Sequence, residues 1–164
     1  MAIYSAGLPA DTVKNISHLS NLKILSIQSN RLPKITGLDK LPNLEELYIS
    51  HNALTEITGL DQNENLRVLD ISNNQIRSLC GVEHLTSLEE LWASTNLLLS
   101  FEEVEEKLAG KKKLNTVYFE ANPLQLKNPA LYRNKIKLAL PQIQQIDAST
   151  LLEFASFQAY GSLS

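Results

Sequence analysis

Residues 22–32 (LKILSIQSNRL), 44–54 (LEELYISHNAL), 66–76 (LRVLDISNNQI), 88–98 (LEELWASTNLL) and 114–124 (LNTVYFEANPL) state one frame five times. Leu22, Leu44, Leu66 and Leu88 stand 22 residues apart, and the fifth copy opens at Leu114 after 26. Leu25, Leu47, Leu69, Leu91 and Val117 follow three residues later, and Asn30, Asn52, Asn74, Asn96 and Asn122 eight residues later. A unit this short has no core of its own, so its apolar side chains bury themselves only against the same positions of its neighbours. The strands must therefore lie side by side and parallel. Within each strand the two-residue period turns the leucines inward and the positions between them outward. The asparagine falls where the strand bends into the core. An amide with two donors and an acceptor suits that place, since an unpaired buried backbone group costs about 1–3 kcal/mol. The spacing predicts a ladder of asparagines.

Between the strands Ile35, Ile57 and Leu79 recur, each followed two residues later by Gly37, Gly59 and Gly81. These segments are too short for full helices. Short or 3₁₀ turns with a glycine at a tight return fit them. The longer fourth unit carries SFEEVEEKLAGKKK, in which Ser100 and Glu103 form a capping box and Gly110 a stop, predicting a helix over 101–109. Asn128 and Pro129 open a second helix that runs to Leu140 before Pro141, with Tyr132, Ile136 and Leu140 facing the last strand. The frame matches L-x-x-L-x-L-x-x-N-x-L, the leucine-rich repeat signature. The expected fold is an α/β leucine-rich repeat solenoid. It has a curved parallel sheet on the concave face, short turns or 3₁₀ on the convex face, and a helical C-terminal cap. Residues 15–127 form the repeats and 128–148 the cap. Residues 1–14 and 149–164 lie outside the frame, and without shielding for its first layer the chain reads as part of a longer array.

The composition supports a folded domain, with 43% hydrophobic residues, 30 leucines among 164 positions and 20% charged residues. A net charge of −3 lacks the basic excess that a phosphate backbone demands, so nucleic acid is not expected as a partner. No apolar run approaches a membrane span, residues 1–9 do not form a signal peptide, and the lone Cys80 favours a reducing compartment. Cys80 stands where other repeats carry Thr36 and Thr58, so it reads as turn filler. No phosphate loop, dinucleotide fingerprint or nucleophile elbow occurs. An open sheet surface also shifts a carboxylate's pKa poorly. An enzyme, a cofactor and a metal site are not expected. The lysines at 111–113 read as a favourable helix C-terminus.

The outward positions fall at Ile24, Ser26 and Gln28; Glu46, Tyr48 and Ser50; Val68, Asp70 and Ser72; Glu90, Trp92 and Ser94; and Thr116, Tyr118 and Glu120. Tyr48, Trp92 and Tyr118 thus face solvent among Glu46, Asp70, Glu90 and Glu120. Exposed aromatics ringed by acids have the composition of a protein interface that attracts a basic patch. Their simpler explanation is cross-strand packing and ordinary surface charge.

The spacing, the frames LSNLKILSIQSNRLPKITGLDKLPNLEELYISHNAL and LRVLDISNNQI, the LWASTN strand and the segment NPALYRNKIKLALPQIQQIDA resemble the C-terminal part of the leucine-rich regulatory subunit of protein phosphatase 1. The resemblance runs over 15–148. It implies a non-catalytic regulatory or scaffolding subunit whose concave face binds the phosphatase catalytic subunit, alone or with a further inhibitor subunit, in nucleus and cytoplasm. Asp70, Glu90, Trp92 and Tyr118 match that family's acidic and aromatic contact positions, with Tyr48 and Glu46 beside them. The alternative is a structural adaptor similar to the leucine-rich light chain of axonemal dynein, which shares the repeat length.

Overall fold

The structure, a computed structural model, describes residues 1–4, 16 and 18–150. Most of the segments 1–14 and 149–164 therefore falls outside the described residues. Strands β2 (Ile24–Ser26), β3 (Glu46–Tyr48), β4 (Val68–Asp70), β5 (Glu90–Trp92) and β6 (Thr116–Tyr118) stack in the order of the sequence, each parallel to the next. Their register follows the period: Leu25 lies opposite Leu47, Leu47 opposite Leu69, Leu69 opposite Leu91, and Leu91 opposite Val117. Those five side chains and the opening leucines of each unit are buried in one continuous apolar stack.

The sheet extends beyond the five expected strands. Residues 2–4, which the frame left in a tail, form β1 (Ala2–Tyr4) parallel to β2, with Ile3 opposite Leu25. Beyond β6, a two-residue strand β7 (Gln145–Ile146) continues the parallel order, and β8 (Ser149–Thr150) returns antiparallel beside it. Among the described residues, eight strands form the one sheet.

The asparagine ladder is present. The Nδ2 of Asn74 donates to the carbonyl of Ile71 in its own turn at 2.9 Å and to that of Ile49 in the preceding repeat at 3.3 Å. Its Oδ1 accepts the Leu54 amide at 3.0 Å. Asn52, Asn96 and Asn122 repeat this pattern with the Leu32, Ile76 and Leu98 amides. Each side chain therefore ties two turns together, Asn74, Asn96 and Asn122 in the buried interior and Asn52 partly buried.

On the convex side the chain closes by successive three-residue turns, such as Leu41 N–H to Leu38 O at 3.0 Å and Leu44 N–H to Leu41 O at 3.1 Å. The recurrent glycines have φ of 78°, 73° and 102° at residues 37, 59 and 81. A Cβ on Gly81 would lie 1.9 Å from the Ile57 carbonyl oxygen, so both the dihedral and the space require glycine. Gly81→Ala is expected to cost at least about 2 kcal/mol, the scale of a side chain forced into a sparsely populated region. A drop in the urea midpoint at constant slope would show it, and a wild-type midpoint would refute the account.

Helix α1 (Phe101–Leu108) forms as predicted and buries Val104 and Leu108. Only half of the capping box closes. Ser100 Oγ accepts the Glu103 amide at 3.1 Å, but the Glu103 carboxylate turns to the preceding repeat, accepting Ser78 Oγ at 2.5 Å and the Leu79 amide at 3.0 Å. A lateral partner one repeat away outcompetes the local one. Past β6, a single turn α2 (Pro123–Leu126) leads into α3 (Pro129–Ala139), which buries Tyr132 and Ile136, with Leu140 buried at its C-cap.

The cap ends the backbone ladder with a side chain. In earlier repeats the Ala93 amide bonds the Tyr118 carbonyl of the next strand at 2.8 Å. At the last full strand, Asp147 Oδ1 takes that role, accepting the amides of Phe119 and Glu120 at 3.0 and 3.1 Å and the Tyr132 hydroxyl at 3.1 Å. Arg133 closes the arrangement by donating to the Ile146 carbonyl at 2.9 Å. Burial first, and then the Asp147 charge, raise the Tyr132 hydroxyl above its ordinary range, so it stays a donor.

Candidate partner-binding face

The strands place Tyr48, Asp70, Trp92 and Tyr118 in one row, each in register with the next. Glu46, Val68, Glu90 and Thr116 form the adjoining row. The side chains of both rows project from the same face because each leucine between them is pulled into the core. Five strands at about 4.8 Å spacing give this face a width of roughly 19 Å.

The three aromatics are half-buried and touch one another. The Tyr48 and Trp92 ring centroids lie 6.0 Å apart with planes at 65°, an edge contact, and Trp92 and Tyr118 lie 5.6 Å apart at 54°. Each aromatic hydrogen-bonding group is held from within the face. Tyr48 Oη donates to Glu46 Oε2 at 2.8 Å, Trp92 Nε1 donates to Glu90 Oε2 at 2.9 Å, and Gln145 Nε2 donates to Tyr118 Oη at 2.7 Å. The rings are thus fixed in orientation before any partner arrives. What they leave outward is apolar ring surface and carboxylate charge, which suits a partner carrying cations.

Asp70 departs from the sequence expectation. It lies on the concave side but is only 4% exposed. Its carboxylate accepts Gln28 Nε2 at 3.1 Å and the Ser72 amide at 3.0 Å. The cause is steric. Its neighbours in the row are the large Tyr48 and Trp92, which close over the short side chain between them. Glu46, Glu90, Trp92, Tyr118 and Tyr48 come together at the surface as the frame requires, and Asp70 supports them from below. Two further residues belong to the face: Gln28, an outward position, which holds Asp70, and Gln145, part of the expected cap, which holds Tyr118. The pair Ile143 and Ile146 repeats the L-x-x-L spacing and was the signal that Gln145 faces outward.

The opposite face reads differently from its lysine run. Lys111 is 7% exposed, and its Nζ donates to the carbonyls of Val82, Leu85 and Glu83 at 2.7, 3.1 and 3.3 Å. It occupies the slot filled by Leu41 and Leu85 in other repeats, so it is a buried structural donor instead of a surface charge at a helix end. Burial lowers its pKa, against an opposing pull from Glu83. Asn63 fills the same slot and donates to the Leu38 and Leu41 carbonyls at 3.1 and 2.9 Å. Among the described residues no helix is long and apolar enough to cross a membrane.

A family profile described as Leucine Rich repeats (2 copies) matches residues 20–62 and 64–106. The protein phosphatase 1 regulatory subunit SDS22 of Schizosaccharomyces pombe is 63% identical over 54 residues, covering 33% of this chain and 16% of that protein. The Homo sapiens protein phosphatase 1 regulatory subunit 7 is 53% identical over 53 residues, covering 32% and 14%. Homology to these regulatory subunits, which are not enzymes, thus extends over about a third of the chain, and the matched segment spans about a sixth of their length. Among solved structures, an internalin (inlF) from Listeria monocytogenes superposes with a TM-score of 0.70 over 91% of this chain and 41% of its own, at 21% identity. A chain of the Drosophila melanogaster SNF/U2A′ complex gives 0.66 over 80% and 75%, at 24% identity. Both likenesses concern the fold alone. With the repeat profile covering more than half of its residues and the parallel stack in place, the chain belongs to the leucine-rich repeat family.

Proposed function

We propose that the protein is a non-catalytic regulatory subunit that lays its concave face on the catalytic subunit of protein phosphatase 1, alone or beside an inhibitor subunit. In that role it works as a scaffold in nucleus and cytoplasm. The observation that carries the reading is the contiguous row of Tyr48, Trp92 and Tyr118, bordered by Glu46 and Glu90, in a chain whose relatives are named phosphatase regulatory subunits. Large rigid rings seat in a partner's pockets with little loss of conformational freedom, and the carboxylates steer a basic surface toward them.

The test is capture of the purified catalytic subunit across a salt series. Wild-type chain should bind best at low ionic strength, since surface charges are screened within about 10 Å at 0.1 M salt. Glu46→Gln/Glu90→Gln should bind several-fold more weakly at low salt and respond less to added salt, with unchanged thermal stability. A folded wild-type chain that captures none of the catalytic subunit overturns the reading. Recovery of a motor heavy chain or tubulin from cells would instead favour the structural-adaptor alternative.

A further inference from the structure

Asp70 is a buried carboxylate with no cationic partner among the described residues. Such a group is costly unless its oxygens are satisfied, and here one side chain satisfies Oδ2: Gln28, 42 residues earlier in the chain. Gln28 stands beyond the end of β2 and reaches across β3, past the buried Ser50, to arrive at Asp70 on β4. The strands that carry Tyr48 and Trp92 flank Asp70 and lie two strand spacings apart, about 9.6 Å. Their ring centroids are nevertheless 6.0 Å apart, so the two rings lean toward each other across Asp70. The contact exists because the residue between them is short and its carboxylate is held down.

We infer that Gln28 is a positioning residue for the concave face: by pinning the Asp70 carboxylate below Tyr48 and Trp92, it presets the ring contact that a partner meets. Gln28 acts through Asp70 and needs no contact with the partner itself. Without the Gln28 amide, Oδ2 lacks its donor in a closed site, and it regains one only by turning outward or admitting water. Either movement passes between the rings and parts them. The expected effect on affinity rests on the phosphatase reading, whereas the effect on the rings does not.

Trp92 is the single tryptophan of the chain, so its emission and near-ultraviolet circular dichroism report this site directly. In the full chain, Gln28→Ala and Gln28→Glu should lose the near-ultraviolet signal of the ring pair and shift Trp92 emission to longer wavelength, while far-ultraviolet dichroism is retained. Affinity for the phosphatase catalytic subunit should fall about tenfold, the scale of one hydrogen bond to a charged group. The exchanged pair Gln28→Glu/Asp70→Asn should recover both readouts. The amide introduced at position 70 then donates to the carboxylate introduced at position 28 while its carbonyl keeps the Ser72 amide, so the bond is rebuilt with reversed polarity. Wild-type spectra in both single variants would overturn the inference, and so would altered spectra with unchanged affinity. If the wild-type chain does not bind the catalytic subunit at all, the spectra and their recovery still decide the role of Gln28, and only the phosphatase reading falls. Should Gln28→Glu not fold, Gln28→Ala supports the same comparison.

Discussion

Trp92→Ala is expected to weaken binding to the phosphatase catalytic subunit by at least about 30-fold, the scale of a central interface tryptophan. Trp92 is the middle member of the aromatic row and touches both Tyr48 and Tyr118. Truncation removes its own contact surface and takes a ring contact from each of its two neighbours at once. It also releases Glu90 Oε2 from the indole N–H. Because the side chain lies on the solvent side of the sheet, the leucine stack beneath it remains intact. The cost to folding comprises the two ring contacts, about 0.5–1.5 kcal/mol each, together with the part of the indole buried on the face and its bond to Glu90. Titration calorimetry, with chemical unfolding of the same samples, separates the two effects. Trp92→Phe keeps a ring between Tyr48 and Tyr118 and should retain most of the affinity. Equal binding by wild type and a folded Trp92→Ala would remove the aromatic row from the interface.

Asp147→Ala is expected to cost about 3–5 kcal/mol of stability, because three donors lose one shared acceptor and each donor left buried and unpaired costs about 1–3 kcal/mol. The substitution leaves the Phe119 and Glu120 amides and the Tyr132 hydroxyl without their common acceptor and deprives Arg133 of a carboxylate 3.8 Å away. That is a large share of the roughly 5–15 kcal/mol that holds a typical domain together. The loss falls where α3 meets β6, so hydrogen exchange of the Phe119 amide should accelerate before that of Leu69. Asp147→Asn keeps the Oδ1 acceptor and should cost far less. If alanine and asparagine proved equally mild, the carboxylate would not be what terminates the ladder.

Much of this architecture was legible in the letters. The asparagine at each bend, the glycines at positive φ, the helices at 101 and 129, and the common side of Glu46, Tyr48, Glu90, Trp92 and Tyr118 all follow from short-range constraints. What failed did so for one kind of reason. Ala2–Tyr4 carries too little apolar sequence to display the frame, yet it pairs with β2 because an open sheet edge offers unpaired backbone groups. Lys111 sits in a run of three lysines that signals solvent, yet the slot it occupies lies against three carbonyls of the repeat before it. Glu103 satisfies the pattern of a capping box, yet Ser78 and Leu79 of the adjacent turn win its carboxylate.

By itself the sequence determined the period, the parallel stacking and which side chains share a face, because a unit without a core of its own can bury its leucines in only one way. Only the tertiary structure decided that Asp70 lies hidden, that Gln28 holds it and that Trp92 meets both tyrosines. Those partners are 26 to 44 residues apart along the chain. Their distances depend on how far each side chain leans across the neighbouring strands, which spacing along one strand does not specify.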